Sequence, residues 1–336
     1  MMEVVVKDIL QAYRIFPTEI EKVTDRLYHI KDSRRDYALK KSTLKQEDIA
    51  AWEHVYYVAN EKNLSEIVPV YLTKDGKLYE DVDGFVYYLS PWLLFAPRSS
   101  SETSIERTMG LLAHIHDRTQ QSQRISKSSL NKNFHTYQTF CEQLPNELYS
   151  YVLRFEQQAY MSPFELQVCT HYRDIETALN RINGEVSEFL DQSEEEITWN
   201  LSLCHGNLAL DHVLNNHIIN WEQARYDHVA VDLTNYFHQL TGEYDQPNEL
   251  IMEGFKVYKR KYDLEMFDMK LLSIYLLNPA DYMTIIRDYV KSTKEKPLTY
   301  QVSALQKQYR KLIFALKWTD FIKEEYETIN FDDLSN

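Results

Sequence analysis

Glycine is scarce in this chain: seven occur in 336 residues, and the first is Gly76. A phosphate-cradling loop relies on glycine for positive-φ backbone and for close approach of ligand to the amides. The expected strand-turn-strand at Glu21 to Ile30 contains none, so an ordinary glycine-rich nucleotide loop is excluded there and tight nucleotide binding is disfavoured. Cysteine is equally sparse. Cys141, Cys169 and Cys204 form an odd set with no disulfide framework, as in a protein of a reducing compartment. Positive charge is also short, with 37 Lys and Arg against 51 Asp and Glu and a net charge of −14. That balance argues against nucleic acid or an anionic membrane as the main partner and would suit a cationic substrate. No apolar stretch reaches the about 18 residues of a membrane span. The short apolar run within Met1 to Asp8 is too brief for a signal peptide, so the expectation is a protein made and kept in the cytoplasm. No internal repeat or low-complexity tract occurs.

The hydrophobic content, 44%, is ample for a sizeable core, and the length suits a single two-lobed unit. Tyr37-Ala38-Leu39-Lys40 reads as a strand of alternating character ending in lysine, with Lys41 as an alternative. A helix is predicted over about Gln46 to Asn63, with Ile49, Trp52, Tyr56 and Ala59 on its buried face. On it Glu53, or Glu47 as the alternative, could pair with Lys40. Asp75-Gly76 and Asp83-Gly84 are turn signals between short Val-, Tyr- and Phe-rich runs. Phe85 to Trp92 is read as the last strand before a hinge, which places the end of a smaller lobe near Trp92. A helix follows over Ile105 to His116, and His116 is read as a buried structural histidine because no second His or Cys stands at zinc spacing. Beyond it the sequence is helical and charged, with serine-rich breaks at Ser99 to Ser101 and Ser126 to Ser129. The acidic run Glu194 to Glu196 reads as a solvated approach to a strand that delivers Leu203-Cys204-His205. After Leu233 the pattern is helical to the end, with Leu271, Leu272, Tyr275 and Leu276 on core faces and a loop at Lys294 to Pro297.

One cassette carries the chemistry: His205-Gly206-Asn207-Leu208-Ala209-Leu210-Asp211-His212-Val213-Leu214, then Ile218-Ile219-Asn220-Trp221-Glu222, then Asp227 to Leu233 with Asp232. It resembles the catalytic and metal-binding loops of the aminoglycoside phosphotransferase and choline kinase superfamily, in which H-G-D-x-x-x-x-N leads through a short hairpin to I-D-[FW] and a later D-P-x-x-D-L. The resemblance implies an α+β, protein-kinase-like fold with a small β-rich N-lobe at 1–92 and a large, mainly helical C-lobe at 93–336. It places a catalytic loop at 205–214 and a metal loop at 218–222. It makes Lys40 the phosphate-binding lysine, His205 a structural residue and Asp232 the brace of the catalytic loop. It also puts Asn207 where the aspartate base belongs, Asn220 where the magnesium-binding aspartate belongs and His212 where the asparagine ligand belongs. An amide accepts no proton at neutral pH. Magnesium is normally held by at least one carboxylate, and imidazole is a poor ligand for so hard a cation.

Further likeness covers most of the chain in order: Asp8 to Tyr13, Tyr37 to Lys40, Val68-Pro69, Thr73 to Lys77, and Tyr87 to Trp92. These resemble endospore coat proteins of the CotS and YutH type, the YutH branch nearer. What this implies is a pseudokinase made in the mother-cell cytoplasm that joins the spore coat, with other coat proteins as partners and no cofactor or metal. The 25 tyrosines would fit aromatic packing in core and interfaces. The alternative is an active ATP-dependent phosphotransferase on a small molecule or protein. Asp211 would then be the substitute carboxylate, with Asp227 or Glu222 as other candidates, and Mg-ATP the cofactor.

Overall fold

A computed structural model describes residues 2–94, 101–191, 196–242, 248–291 and 296–327. The serine run at 99–101, the acidic run at 194–196 and the loop at 294–297 lie partly outside these residues. The chain forms two compact units, residues 1–120 with 202–227 and residues 121–201 with 228–336. The division thus differs from the single boundary expected at Trp92. Backbone and hydroxyl bonds account for part of the difference. Ser202 donates its hydroxyl to the His116 carbonyl at 2.9 Å, and Thr119 Oγ1 accepts from the Leu203 amide at 3.0 Å, so the strand leading to His205 is tied to the helix after the hinge.

The first unit starts with α1 (Met2–Ala12), β1 (Glu19–Lys22), β2 (Leu27–Lys31), β3 (Asp36–Lys41), α2 (Ile49–Lys62), β4 (Glu80–Val82), β5 (Phe85–Pro91) and α3 (Ser101–Thr119). The five strands form one antiparallel sheet in the order β1-β2-β3-β5-β4. Strand periodicity sorts its two faces. Tyr87 and Leu89 join Leu39 on the face covered by Val6, Ile9, Leu10 and Tyr13, the i, i+3, i+4, i+7 stripe of α1 and its end. Val86 and Tyr88 face the other way, toward Ile49 and Trp52 of α2. Burying a side chain of this size contributes roughly 2–3 kcal/mol, so these two stripes fix the sheet between its helices. Lys40 pairs in register with Tyr88 and therefore lies on the α2 side.

The α2 stripe is Ile49, Trp52, Val55 and Val58; Tyr56 and Ala59, expected in it, are half-buried. The β1–β2 turn closes without glycine. The Val23 and Thr24 amides both donate to the Leu27 carbonyl, and Lys22 bridges to Asp25 at 2.7 Å. Between β4 and β5, Asp83 (φ 55°) and Gly84 (φ 76°) make the paired positive-φ turn that suits a hairpin. The Asp75-Gly76 turn closes a loop through the Thr73 amide and Lys77 carbonyl, with no strand on either side. His116 is fully buried on α3, as expected.

The second unit continues with β6 (Gln121–Ser126), α4 (Lys127–Glu156) and α5 (Pro163–Leu190). The helical reading of this stretch passed over β6, whose residues are polar and exposed except for the half-buried Ile125 and carry almost no apolar signal. Ser126 caps α4 and Ser162 forms a capping box with Glu165 at α5, so these serines terminate elements. Strand β7 (Glu196–Cys204) pairs with β6 through residues 196–201 in this unit. Its last three residues, in the first unit, pair with β10 (Arg225–Asp227), after the small hairpin of β8 (Val213–Leu214) and β9 (His217–Ile218). Helices α6 (Ala230–Gly242), α7 (Asn248–Lys259), α8 (Met266–Leu276), α9 (Ala280–Lys291) and α10 (Leu298–Ile322) complete the second unit. Its core brings Leu148, Phe155, Phe164 and Ile175 of α4 and α5 against Tyr282 and Leu305. Leu271, Leu272 and Leu276 are buried as expected, while Tyr275 is half-buried.

Candidate functional site

The loop after β7 is built around His205. Its Nε2 lies 2.9 Å from the Ile219 carbonyl, which can only accept, and its Nδ1 lies 3.3 Å from the Asn207 amide, which can only donate. One neutral tautomer, protonated at Nε2, satisfies both. The ring also contacts Trp221 (4.9 Å between centroids) and stacks on His212 (5.2 Å), so His205 holds the two loops together. Gly206 sits beside it at φ +80°, where a Cβ would stand 2.2 Å from the Gln223 carbonyl oxygen. No side chain fits there. Gly206→Ala should therefore lower unfolding stability by about 2 kcal/mol or more in urea denaturation, through strain and steric overlap together. An unchanged midpoint would contradict this packing.

Three of the expected positions come together on the α2 side of the sheet. The Lys40 ammonium donates to Asn220 Oδ1 and lies 2.6 Å from Glu222 Oε1. The Tyr88 hydroxyl donates to the same carboxylate at 2.9 Å, and Thr43 reaches its other oxygen at 3.5 Å. The Asn220 amide nitrogen lies 3.0 Å from His212 Nε2. Because Asn220 Oδ1 accepts from lysine, its Nδ2 must donate, and His212 Nε2 must be the unprotonated nitrogen. A relay thus runs from the Lys40 ammonium through Asn220 to a neutral His212. Burial pushes the His212 pKa down, and the nearby Lys40 charge adds to this. For Glu222 burial raises the pKa, but the Lys40 charge and the hydrogen bonds from Lys40, Tyr88 and Ser42 outweigh it and hold the carboxyl below its usual value. Asn220 itself adopts the left-handed conformation (φ 71°, ψ 46°), which asparagine tolerates better than most residues.

The other predicted positions are placed differently. Glu53 is half-buried on α2 and makes no ion pair among the described residues; the partner of Lys40 is Glu222. The reason is reach: Glu222 follows Asn220 in a short 3-10 turn facing β3 and β5, so one turn presents both groups to the ammonium. Glu47 lies 3.6 Å from Lys45 at the surface, and Lys41 lies over the Phe85 ring at 3.5 Å. Asn207 is exposed, its amide committed to His205. The Asp211 side chain is 80% exposed, and its nearest charged or titratable partner is His212 at 3.9 Å. Asp227 bonds to Arg225 at 2.8 Å. Asp232 lies in the second unit, fully buried in the first turn of α6, where a carboxylate meets the positive end of the helix. Tyr88 reads from the sequence as a strand residue and not as part of the site. Its only signal was its place opposite Lys40 in neighbouring strands.

These groups border a cavity of about 480 Å3 in the first unit, lined by Lys40, Asp211, His212 and Asn220 together with Leu27, Val68 and Trp92. Its walls are mostly apolar. The donor set does not suit magnesium, because Asn220 Oδ1 and Glu222 Oε1, the oxygens best placed to be ligands, both serve the Lys40 ammonium. At 207 the side chain is an amide, which accepts no proton at neutral pH, and the Lys40 ammonium is engaged by Asn220 and Glu222.

The fold is that of aminoglycoside phosphotransferases and choline kinases. An aminoglycoside phosphotransferase from Alicyclobacillus acidocaldarius is similar with a TM-score of 0.69 at 13% identity, over 95% of this chain and 96% of that one. A spectinomycin phosphotransferase in an AMP-bound complex gives 0.58 at 14% identity over 94% and 97%. A choline kinase from Streptococcus pneumoniae gives 0.50 at 14% identity over 93% and 99%. At such identities the likeness concerns the fold. No curated protein matches the sequence. The family model described as "Spore coat putative kinase YutH" matches residues 6–317, and the chain belongs to that spore coat family.

Proposed function

We propose that this chain is a kinase-fold protein without phosphotransferase activity, which serves endospore coat assembly through protein contacts with other coat proteins. The observation that carries the first half is the Lys40 ammonium bonded to both Asn220 and Glu222, a fixed cation where a metal would need those oxygens. The amide at Asn207 supports it, since no proton can be accepted there. The second half rests on the family to which residues 6–317 belong. On this reading the protein is made in the mother-cell cytoplasm and is then held in the coat.

A thermal-shift titration of the full chain with ATP or GTP tests the cleft. A ligand at a hundredfold excess over its Kd stabilises the folded state by about 2.7 kcal/mol, so even modest binding is visible. No magnesium-dependent shift is expected at millimolar nucleotide. A shift abolished by chelator would overturn the proposal. In sporulating cells, the folded Asn207→Ala variant should enter the coat as the parent does; failure to do so would give the loop a duty beyond scaffolding. The competing phosphotransferase reading needs Asp211, which lines the same cavity but is mostly exposed. Nucleotide hydrolysis by the purified chain that Asp211→Ala abolishes would favour it.

A further inference from the structure

A separate cavity of about 260 Å3 lies in the helical unit among α6, α8, α9 and α10. Apolar Val231, Leu276 and Leu312 share its lining with Thr234, His238 and Lys311. Thr234 Oγ1 and His238 Nε2 are buried and have no hydrogen-bond partner among the described residues. The Leu276 backbone favours the ring proton of His238 on its own side, and with that proton placed there Nε2 is a lone-pair acceptor. Burial pushes its pKa down to about 4, and the Lys311 charge acts in the same direction. Lys311 is half-buried and makes no ion pair among the described residues. Burial holds its pKa below the usual lysine value and Lys307 adds to this, while Asp281 at the rim acts the other way.

Buried polar groups in folded proteins are nearly always paired, and each one left unpaired costs stability. Here a hydroxyl, an imidazole lone pair and an ammonium share one cavity, where apolar side chains of similar size would pack the unit better. Unpaired polar groups converging on one concave, partly apolar site are what a ligand-recognition site presents. We propose that this cavity binds a small monocarboxylate bearing a neighbouring N–H or O–H donor, an amino acid or a hydroxy acid. The carboxylate meets Lys311, the donor meets the His238 lone pair, and the Thr234 hydroxyl bonds to either. Asp281 on the lining and the net charge of −14 both repel a polyanion. The volume leaves room for on the order of ten non-hydrogen atoms.

The test uses calorimetric titration and melting of the full chain with L-serine, β-alanine, glycolate and L-lactate, against acetate and inorganic phosphate. At least one amino or hydroxy acid should bind saturably and raise the midpoint, and which arm responds identifies the donor. Acetate, which lacks the donor, should bind at least about tenfold more weakly. Binding should be lost in Lys311→Met and weakened about tenfold or more in His238→Phe. Without ligand, Lys311→Met should melt no lower than the parent, because the variant removes an unpaired cation. The proposal is overturned if no probe binds, if acetate or phosphate binds as well as the acids, or if binding survives Lys311→Met. A clearly lower melting point of unliganded Lys311→Met would also overturn it, since Lys311 would then be a structural group.

Discussion

Changing Asn207 and Asn220 to aspartate and His212 to asparagine should create magnesium-dependent nucleotide binding that the parent chain lacks. The geometry makes the expectation specific. In the parent, Asn220 spends its oxygen on Lys40 and its amide nitrogen on His212. Asn220→Asp keeps the lysine contact and replaces the amide that donates to His212 Nε2 by an acceptor, toward which a retained imidazole would turn an N–H. His212→Asn accompanies it so that the second ligand position also carries an oxygen. The new asparagine supplies an oxygen where imidazole stood, and the new carboxylates attract magnesium strongly in a partly dry cleft. Part of that gain is spent drawing Lys40 away from Asn220. A net gain of roughly 3 kcal/mol, about a hundredfold in Kd, is a reasonable expectation. Titration with ATP in magnesium and again in chelator measures it. Should the folded triple variant bind Mg-ATP no better than the parent, Asn207, His212 and Asn220 do not occupy the base and metal positions, and the register of the cassette is wrong. Activity need not return, because the turn between β1 and β2 remains without glycine.

The cassette was legible because it is local. His205, Gly206, Asn220 and Trp221 lie within one short stretch whose spacing can be matched, and in the structure the His205 and Trp221 rings lie 4.9 Å apart. The strand ending in Lys40 and the hairpin at Asp83-Gly84 were legible for the same reason, through alternation and turn chemistry. The partner of Lys40 was not. Lys40 and Asn220 are 180 positions apart, and no periodicity in either segment says which glutamate the ammonium meets. Glu53 is preferred to Glu47 in the sequence by its distance along the chain to Val68-Pro69. Glu53 makes no ion pair among the described residues, while Glu222 arrives on a 3-10 turn far along the chain. Strand β6 was missed because its stabilisation comes from pairing with β7, and exposed polar strands carry no hydrophobic signature.

Lys40→Met should destabilise the chain by roughly 3 kcal/mol at neutral pH, the usual cost of leaving a buried charge without its partner. The Glu222 side chain is only 10% exposed and the Lys40 side chain 25%, so solvent screens the pair little. The pH dependence follows from the carboxylate. In the parent, the folded-state pKa of Glu222 is lowered in spite of burial, mainly by Lys40. The stability it confers is therefore present above the ordinary glutamate pKa, and is lost as pH falls through the lower folded value. Without Lys40, burial is opposed by hydroxyl hydrogen bonds, mainly those of Tyr88 and Ser42, so the folded pKa should rise above the ordinary value. The penalty is then present at neutral pH and is relieved as acid protonates Glu222. The gap between variant and parent should accordingly be widest near pH 7 and narrow through the carboxylate range. Lys40→Met with Glu222→Gln should recover all but about 1 kcal/mol; with Glu222→Gln alone costing about 1 kcal/mol, the coupling in the double-mutant cycle is about 3 kcal/mol. Urea denaturation at several pH values measures all three variants. If Lys40→Met were as stable as the parent at every pH, the ammonium would not be compensating Glu222. A lysine so weakly held could turn to a phosphate, and the main physical argument for a catalytically silent cleft would fall.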